Sequence, residues 1–338
     1  MSLNIERKIE AFAKLGDKLG HLKEHEFELM AQGAEARNNW FDRQNVKAAI
    51  LGLAHMLRKD KLEKWLSNYP ELNQEKEAKT IGVVMAGNIP AVGFHDFMCV
   101  LLSPHRLLAK LSGQDSFLLK IIAEYLTEIE PAFRDRFEFV ERLNGSEAYI
   151  ATGSDNTARY FSYYFSKHPH IIRPNKSSCA VLDGNESDED LEKLGEDIFR
   201  FYGLGCRNVS KLFVPEDYSF QHFLDLLSER YKNITHNHKY SNNYDYNKSI
   251  YLVNRIPHLD TGFLLVAEDK ALISPISALF YERYSDAKDL EAKIGAHKEK
   301  IQCVVGKGES RIPFGMAQHP EPWDYADGID TMEFLLKL

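Results

Sequence analysis

One cysteine on a glycine-flanked turn is the strongest candidate for covalent chemistry in this chain. Cys206 ends the segment Gly203-Leu204-Gly205-Cys206. Glycine lets the backbone turn sharply and approach a ligand closely, so a thiol placed there is accessible to an electrophilic carbon. Backbone N–H groups at a turn or a helix start lower the pKa of a thiol and hold an oxyanion. The segment therefore predicts a cysteine that becomes acylated.

The same residues allow two other interpretations. A free cysteine more often acts as a small buried hydrophobic residue. Gly203 and Gly205 also resemble the start of a dinucleotide fingerprint, but Asn208 stands where that fingerprint requires a third glycine. The fingerprint is therefore excluded, and the acylated cysteine stays the favoured interpretation.

Composition limits the class of protein. The chain has 338 residues and 44% hydrophobic residues, enough for two domains or for one large domain with a subdomain. The net charge of −8 argues against nonspecific binding to nucleic acid or to an anionic membrane surface. We find no signal peptide and no apolar stretch of about 18 residues, so we expect a cytoplasmic protein without a membrane span. The four cysteines form no Cys-x-x-Cys pair, and we expect no metal site.

Hydrophobic spacing predicts the elements that position the candidate residues. Residues 1–75 carry apolar residues at helical spacing, and from Thr80 short β-rich runs alternate with helical segments. This alternation predicts a parallel sheet with crossover helices, and ligands bind beyond the carboxyl ends of such strands. Asn88, Lys110 and Thr152-Gly153-Ser154 follow three of these strands. The predicted strands are 80–85, 106–111, 137–140 and 148–154, and the predicted helices are the stretch ending at 102, then 116–129 and 156–165.

A second set of alternating elements begins near residue 173. It contains a strand at 179–182, an acidic helix at 188–202 and a strand after Cys206. The polar residues 235–249 are interpreted as a surface excursion. The C-terminal end is predicted as a loop followed by a strand or a short helix.

Taken in order, these segments resemble the aldehyde dehydrogenase superfamily, and more closely the bacterial acyl-CoA reductases of the LuxC family. The resemblance covers roughly residues 80–338. It implies an α/β fold with two doubly wound, mostly parallel α/β domains and an N-terminal helical segment. It divides the chain into 1–172, with the helices and an NAD(P)-binding Rossmann-like domain, 173–317, the catalytic domain carrying Cys206, and 318–338, a C-terminal segment.

Three segments carry the resemblance in the first half of the chain. Gly87-Asn88-Ile89-Pro90 matches the family turn whose asparagine points at the developing oxyanion, so Asn88 and the Cys206 N–H are the implied oxyanion donors. Lys110 matches a lysine that contacts the adenosine ribose, and Gly113 stands where many NAD-preferring members carry a glutamate. Thr152-Gly153-Ser154 matches the turn that faces the cofactor pyrophosphate. Because no carboxylate at Gly113 repels a 2′-phosphate, the implied cofactor is NADPH, with NADH as the alternative.

Two further motifs and two departures lie elsewhere in the chain. Ile273-Ser274-Pro275-Ile276 resembles the family's Phe-Gly-Pro segment, and Pro313-Phe314-Gly315 its near-terminal Pro-Phe-Gly. Ile172 aligns with the glutamate that activates water in hydrolytic members, so we expect the thioester to react with CoA or hydride rather than with water. Ala271 aligns with the glutamate that binds the nicotinamide ribose, which implies weaker or altered binding of the cofactor.

The resemblance implies NADPH-dependent reduction of a fatty acyl-CoA, or another acyl thioester, to the aldehyde through a thioester on Cys206. Three alternatives remain: an aldehyde or semialdehyde dehydrogenase or acyl-phosphate reductase of the same fold, a non-catalytic acyl-binding subunit, and a purely structural subunit. The chain is shorter than typical members of the family and lacks room for the bridging hairpin that usually precedes the family's asparagine turn, so the resemblance does not imply the usual tetramer. A homodimer and a fatty acid reductase complex are both open. His95 and His168 are candidate acid/base groups.

Overall fold

The computed structural model describes residues 3–338, apart from the side chain of Asp155. The chain divides into two compact units. The first runs up to Asn175 and includes Pro320–Leu338, and the second is Lys176–His319. The functional division into 1–172, 173–317 and 318–338 stays a prediction.

The first unit opens with the predicted helices. Asn4 and Asp42 begin two of them by accepting hydrogen bonds from the N–H groups of Arg7 and Asn45, which would otherwise lack partners at a helix start. Apolar residues at helical spacing place one face of each helix in the core of this unit. The helices are α1 (Ile5–Gly20), α2 (Glu24–Glu35), α3 (Arg43–Met56) and α4 (Lys59–Leu66).

A parallel five-stranded sheet follows, with the order β3-β2-β1-β4-β5. The predicted strands are confirmed, and a strand at His170–Arg173 that the sequence analysis missed lies at the edge of the sheet. The strands are β1 (Thr80–Val84), β2 (Arg106–Lys110), β3 (Phe137–Phe139), β4 (Ala148–Thr152) and β5 (His170–Arg173). The connecting helices are α5 (Phe94–Leu102), α6 (Leu118–Ile129) and α7 (Asp155–Phe165).

The strand order creates a switch point at the carboxyl end of β1. β1 lies between β2 and β4, and the register pairs Val84 with Lys110 on one side and with Ala151 on the other. The segments that follow these three strands therefore emerge side by side at one edge of the sheet. Such an edge is where ligands bind in open α/β sheets.

The second unit contains a six-stranded sheet with the order β11-β6-β7-β10-β9-β8. Its strands pair in parallel except for β8 with β9. The strands are β6 (Ser177–Val181), β7 (Val209–Pro215), β8 (Leu259–Asp260), β9 (Leu265–Glu268), β10 (Ala278–Tyr284) and β11 (Ile301–Val305). The helices are α8 (Asp188–Phe199), α9 (Gln221–Tyr231), α10 (His238–Val253) and α11 (Ala287–Ala296).

The prediction of a surface excursion at 235–249 is wrong, because most of this segment belongs to α10. Asn237 begins the helix by accepting hydrogen bonds from two backbone N–H groups. Tyr240, Tyr244 and Tyr251 are buried, and their spacing of four and seven residues places them on one helical face. The polar residues between them conceal this aromatic stripe in the sequence.

The C-terminal residues contact a buried ion pair of the first unit. Arg173, at the end of β5, donates to both carboxylate oxygens of Asp96 in α5, at 2.8 and 2.6 Å. Its other terminal nitrogen donates to the hydroxyl of Thr331 at 2.7 Å. Thr331 begins α12 (Thr331–Leu336), so the chain end is a short helix, one of the two predicted outcomes. No helix within residues 3–338 has both the length and the apolar character needed to cross a membrane.

Candidate active site

Cys206 lies on the turn between α8 and β7 of the second unit. α8 ends at Phe199, and the chain then passes through Phe201, Tyr202 and Gly203 with φ angles of 54°, 57° and 76°. A left-handed backbone costs on the order of 1–2 kcal/mol at each residue that is not glycine. Strain of this kind clusters at functional sites, where the surrounding structure holds it in place.

Two of the four cysteines are partly exposed. Cys99 and Cys179 are buried, whereas Cys206 and Cys303 are half-buried. Burial raises the pKa of Cys179 to about 12 and also raises the pKa of Cys99 well above its usual value. The two buried thiols therefore stay protonated at neutral pH. A thiolate nucleophile is consequently expected at Cys206 or Cys303.

Asn208 connects the Cys206 turn to the end of α8. It is 2% exposed, and its Oδ1 accepts a hydrogen bond from the Gly205 N–H at 2.8 Å. Its own backbone N–H donates to the Gly205 carbonyl at 3.0 Å. Its Nδ2 donates to the carbonyls of Asp197, Ile198 and Arg200 at 3.0, 3.3 and 2.8 Å. The sequence showed this residue only as a departure from a glycine fingerprint.

Ser178 holds the carbonyl group of Cys206 itself. This fully buried residue of β6 donates from Oγ to the Cys206 oxygen at 3.0 Å. Its Oγ also lies 3.0 Å from the Cys303 sulfur and accepts from the Cys303 N–H at 3.2 Å. No motif indicated this residue, because the contact depends on β6 lying between β7 and β11.

The Pro313-Phe314-Gly315 segment is tied to the end of α8. The Asp197 carboxylate, which is fully buried, accepts from the N–H groups of Gly315 and Ala317 at 2.7 and 3.0 Å. Arg207, directly after Cys206, donates from Nε to the Ala317 carbonyl at 2.5 Å. Asp197 and Arg207, on either side of the Cys206 turn, thus hold the segment that follows Phe314 beside this turn.

Asp197 has a consequence for the pH dependence of stability. Burial raises its pKa from 3.8 to about 6. Because the folded chain then binds this proton more tightly than the unfolded chain does, the free energy of unfolding should fall as pH rises from about 4 to about 6, by on the order of 1–3 kcal/mol. We expect Asp197→Asn to lack this step in urea denaturation measured between pH 4 and 7.

The control for this prediction is Asp289→Asn. Asp289 has a lowered pKa because the Lys293 ammonium donates a hydrogen bond to it. Its contribution to stability is present at neutral pH and is lost as pH falls, so its replacement should alter the pH profile in the opposite direction. Equal pH profiles for wild type and Asp197→Asn would contradict the prediction.

In the first unit, Asn88 lies on the turn after β1. Met85 donates its N–H to the Lys110 carbonyl at 3.0 Å, which extends the pairing of β1 with β2 up to this turn. A Cβ on Gly87 would lie 2.5 Å from the Cβ of Ser112, so only glycine fits there. Asn88 is half-buried, and Ala91 at the far side of the turn has a φ of 56°.

Asp115 holds the Asn88 turn, although the sequence analysis missed it. Its carboxylate is 2% exposed and accepts from the Ala91 N–H at 2.6 Å and from the Leu118 N–H at 3.4 Å. Burial raises the pKa of Asp115 to about 6. One side chain thus connects the turn after β1 to the start of α6. An acidic residue shortly before a predicted helix was the available signal.

The predicted cofactor-binding residues lie at the carboxyl edge of the first sheet. Lys110 is exposed at the last position of β2, and a Cβ on the exposed Gly113 would meet no atom within 4 Å. Gly153 donates its N–H to the Arg173 carbonyl at 3.2 Å. Ser154 begins α7 by accepting from the Thr157 N–H at 3.3 Å. This edge offers a lysine, open space and a helix N-terminus, which together fit a dinucleotide phosphate.

The loop that contains Ala271 is held by a buried lysine. Lys211 in β7 is fully buried, and its ammonium contacts the Glu282 carboxylate at 2.6 Å. It also donates to the carbonyls of Asp269, Lys270 and Ala271 at 2.9, 3.0 and 3.3 Å. A lysine in an apolar strand is usually expected at the surface, so the sequence analysis passed over it.

His95 is a packing residue of the first unit. Its Nε2 lies 2.9 Å from the Pro322 carbonyl, and its ring packs against Trp65 and Tyr325. Burial lowers its pKa, so the ring is neutral at physiological pH. His168, the other candidate, is exposed. Over the described part of the chain, no cluster of His, Cys, Asp and Glu side chains could hold a metal ion.

The structure is similar to solved structures of nicotinamide-cofactor enzymes, several of which are named aldehyde dehydrogenases. An NADP-dependent enzyme from E. coli is 11% identical with a TM-score of 0.65, over 91% of this chain and 74% of that one. Aldehyde dehydrogenase C from Pseudomonas syringae, solved with NAD+ and octanal, is 11% identical with a TM-score of 0.62, over 90% and 76%. The NAD+ complex of a Bacillus cereus aldehyde dehydrogenase is 12% identical with a TM-score of 0.62, over 90% and 72%.

The chain therefore has the aldehyde dehydrogenase fold, as the sequence predicted. No family model matches the chain, and no curated protein matches it in sequence. Sequence identities of 11–12% establish the fold and leave the substrate to chemical argument. Asn88 and the predicted cofactor-binding residues lie in the first unit, whereas Cys206 lies in the second. That these residues act together in one active site is therefore a proposal.

Proposed function

We propose that this chain reduces acyl thioesters, with fatty acyl-CoA as the expected substrate, to aldehydes with NADPH. The observation that carries the proposal is the Cys206 turn. Cys206 is half-buried and follows the left-handed run 201–203, and the peptide groups on either side of it are held by Asn208 and Ser178. Strain maintained by buried hydrogen bonds is expected where a nucleophile must be held for reaction.

Cys206 would act as a thiolate that attacks the acyl carbonyl carbon. The new carbon–sulfur bond joins the acyl group to Cys206, and the bond to the CoA sulfur breaks, so CoA leaves as a thiolate. The Asn88 amide and the Cys206 N–H would donate hydrogen bonds to the oxyanion in this step and in the reduction that follows. When the aldehyde leaves, Cys206 is again a thiolate, and CoA takes up the proton consumed overall.

The cofactor segments fit a nicotinamide dinucleotide. NADPH would supply the hydride that reduces the thioester carbonyl. Lys110 would attract the adenosine ribose and its 2′-phosphate, and the open space at Gly113 would leave room for that phosphate. The N–H groups at the start of α7, after Thr152-Gly153-Ser154, would hold the pyrophosphate. Ala271 offers no carboxylate to the nicotinamide ribose.

Because Ile172 stands where hydrolytic members carry a glutamate, the proposal expects the acyl group to be transferred to CoA much faster than to water. Its side chain on β5 is aliphatic and can neither accept a proton nor orient a water molecule. The acyl-enzyme should therefore survive in water and be discharged rapidly by added CoA. These two rates can be measured on the same acylated sample.

A second candidate function is oxidation of aldehydes by the same residues in reverse. It is favoured by the names of the similar structures, of which one was solved with octanal. Both directions pass through the Cys206 thioester. In reduction the thioester is consumed by hydride, and in oxidation its acyl group is transferred to CoA or to water. Comparing NADPH consumption with acyl-CoA against NADP+ reduction with an aldehyde, with and without CoA, decides between them.

The deciding experiment is intact-mass spectrometry after incubation with a long-chain acyl-CoA in the absence of NADPH. We expect one acyl group per chain, and aldehyde formation when NADPH is added. Acylation without reduction would favour an acyl-binding subunit, and an acyl phosphate as the better donor would favour the acyl-phosphate reductase alternative. Rapid release of free fatty acid from the acyl-enzyme would contradict the proposal.

We also expect Gly113→Glu to shift the cofactor preference from NADPH toward NADH. A Cβ at this position meets no atom within 4 Å and the position is exposed, so the variant should fold normally. Its carboxylate would repel the 2′-phosphate of NADPH, which NADH lacks. The ratio of kcat/KM for the two cofactors should change by about tenfold, equivalent to about 1.4 kcal/mol.

The control for this variant is Gly113→Gln, which adds similar volume without charge and should keep the preference. A wild-type enzyme that uses NADH far better than NADPH would show that the assignment of Gly113 is wrong.

A further inference from the structure

We propose that Asn208 is a positioning residue that aligns the backbone N–H of Cys206 with the carbonyl oxygen of the acyl group. The proposal rests on the proposed role of Cys206 as the nucleophile. Asn208 itself touches no reacting atom in this proposal. It acts through Gly205 and through the end of α8.

The geometry of the turn supports this role. Asn208 donates its N–H to the Gly205 carbonyl at 3.0 Å and accepts the Gly205 N–H on its side-chain oxygen at 2.8 Å. A trans peptide unit is planar, so the Cys206 N–H points opposite to the Gly205 carbonyl. By holding both polar groups of Gly205, Asn208 sets the direction in which the Cys206 N–H points.

The next peptide unit is held independently. Ser178 donates from Oγ to the Cys206 carbonyl at 3.0 Å. The peptide planes on both sides of Cys206 are thus anchored by buried residues, since Asn208 is 2% exposed and Ser178 is fully buried. With both planes anchored, the backbone dihedral angles of Cys206 and the origin of its side chain are determined.

The amide nitrogen of Asn208 provides the third anchor. It donates to the carbonyls of Asp197, Ile198 and Arg200, at the point where α8 ends. Between that helix end and Gly205 lies the costly left-handed run 201–203. The Asn208 amide both donates to these carbonyls and accepts from Gly205, whereas a carboxylate lacks the donors and the side chain of alanine lacks both.

A purely structural role and a positioning role make different predictions for two reactions of Cys206. Attack on an ester forms an oxyanion and needs an aligned N–H donor. Alkylation by iodoacetamide displaces iodide and forms no oxyanion. Loss of alignment should slow the first reaction and leave the second intact, whereas partial unfolding should change both.

The test measures the burst of p-nitrophenol released when p-nitrophenyl acetate acylates Cys206, together with the rate of alkylation by iodoacetamide. For Asn208→Ala we expect the burst rate constant to fall about 10–100-fold while the half-saturating ester concentration and the alkylation rate stay within about threefold of wild type. Equal loss of both reactions, or loss of neither, would overturn the proposal.

Two further variants keep the test decisive. Tyr284→Phe removes one hydrogen bond to a backbone carbonyl, that of Leu182 at 2.8 Å, in the same unit, and both Cys206 reactions should match wild type. Asn208→Asp keeps an oxygen for Gly205, so it should acylate faster than Asn208→Ala despite a lower melting temperature. A folded Asn208→Asp that is no faster would show that the acceptor oxygen does not position Cys206.

The assay also separates this inference from the proposed function, because it uses neither CoA nor NADPH. A wild-type burst without reduction of acyl-CoA would remove the reductase proposal and leave the role of Asn208 under test. A normal burst in Asn208→Ala alongside wild-type reduction of acyl-CoA would remove only the role of Asn208.

Discussion

Replacing Cys206 with alanine should abolish both the acyl adduct and aldehyde formation, with kcat lowered by about 10⁴-fold or more. Without the thiol no covalent intermediate forms, and no other step in the proposed sequence compensates for it. Because Cys206 is half-buried, the loss of its sulfur should change the free energy of unfolding by less than about 1 kcal/mol. Intact mass, peptide mapping and NADPH consumption measure these effects.

The matched control is Cys303→Ala, which removes the other half-buried thiol. We expect this variant to keep the acyl adduct on Cys206. An adduct that peptide mapping places on Cys303, or on either buried cysteine, would show that the nucleophile is wrongly assigned.

Replacing Asn88 with alanine should lower kcat by about 10²–10³-fold while KM for the acyl thioester changes little. The amide of Asn88 would donate to an oxyanion that exists only while the carbonyl is attacked, so its loss raises the barrier without weakening substrate binding. Steady-state kinetics with acyl-CoA and NADPH measure the two constants separately.

A useful comparison for Asn88→Ala is Asn73→Ala, at an exposed position of the same unit where the amide donates to the Pro70 carbonyl at 3.5 Å. It should leave both constants unchanged. If Asn88→Ala kept its turnover number, the oxyanion would have to be stabilised by other groups.

Much of the architecture could be predicted because it depends on local patterns. Apolar spacing predicted the N-terminal helices, and the alternation from Thr80 onward predicted the parallel sheets. The strand ends placed Asn88, Lys110 and Ser154 at the carboxyl edge, and the observed register puts their strands side by side. Hydrogen bonding within a helix, and the alternation of strand with helix, follow from residues close in sequence.

Local sequence patterns gave wrong predictions, or none, for residues whose burial depends on partners far away in the sequence. α10 has a polar composition, and its tyrosines, once packed together with Ile250, make it part of a core. Lys211 and Asp115 carry charges that the sequence places at the surface, yet both are buried because backbone groups from other segments satisfy them. The cost of burying a charge is offset only when such partners are present.

The sequence by itself determined the α/β class and singled out Cys206, on its glycine-flanked turn, as the candidate nucleophile. Only the tertiary structure showed what holds that turn: Ser178 reaches Cys206 because β6 lies beside β7, and Asn208 reaches the end of α8 because the chain reverses through a left-handed run. These contacts join side chains to main-chain groups. Because main-chain carbonyl and N–H groups are nearly the same in every residue, the sequence does not show which of them a side chain will bind. Their geometry therefore emerges only when the strands and the helix are packed together.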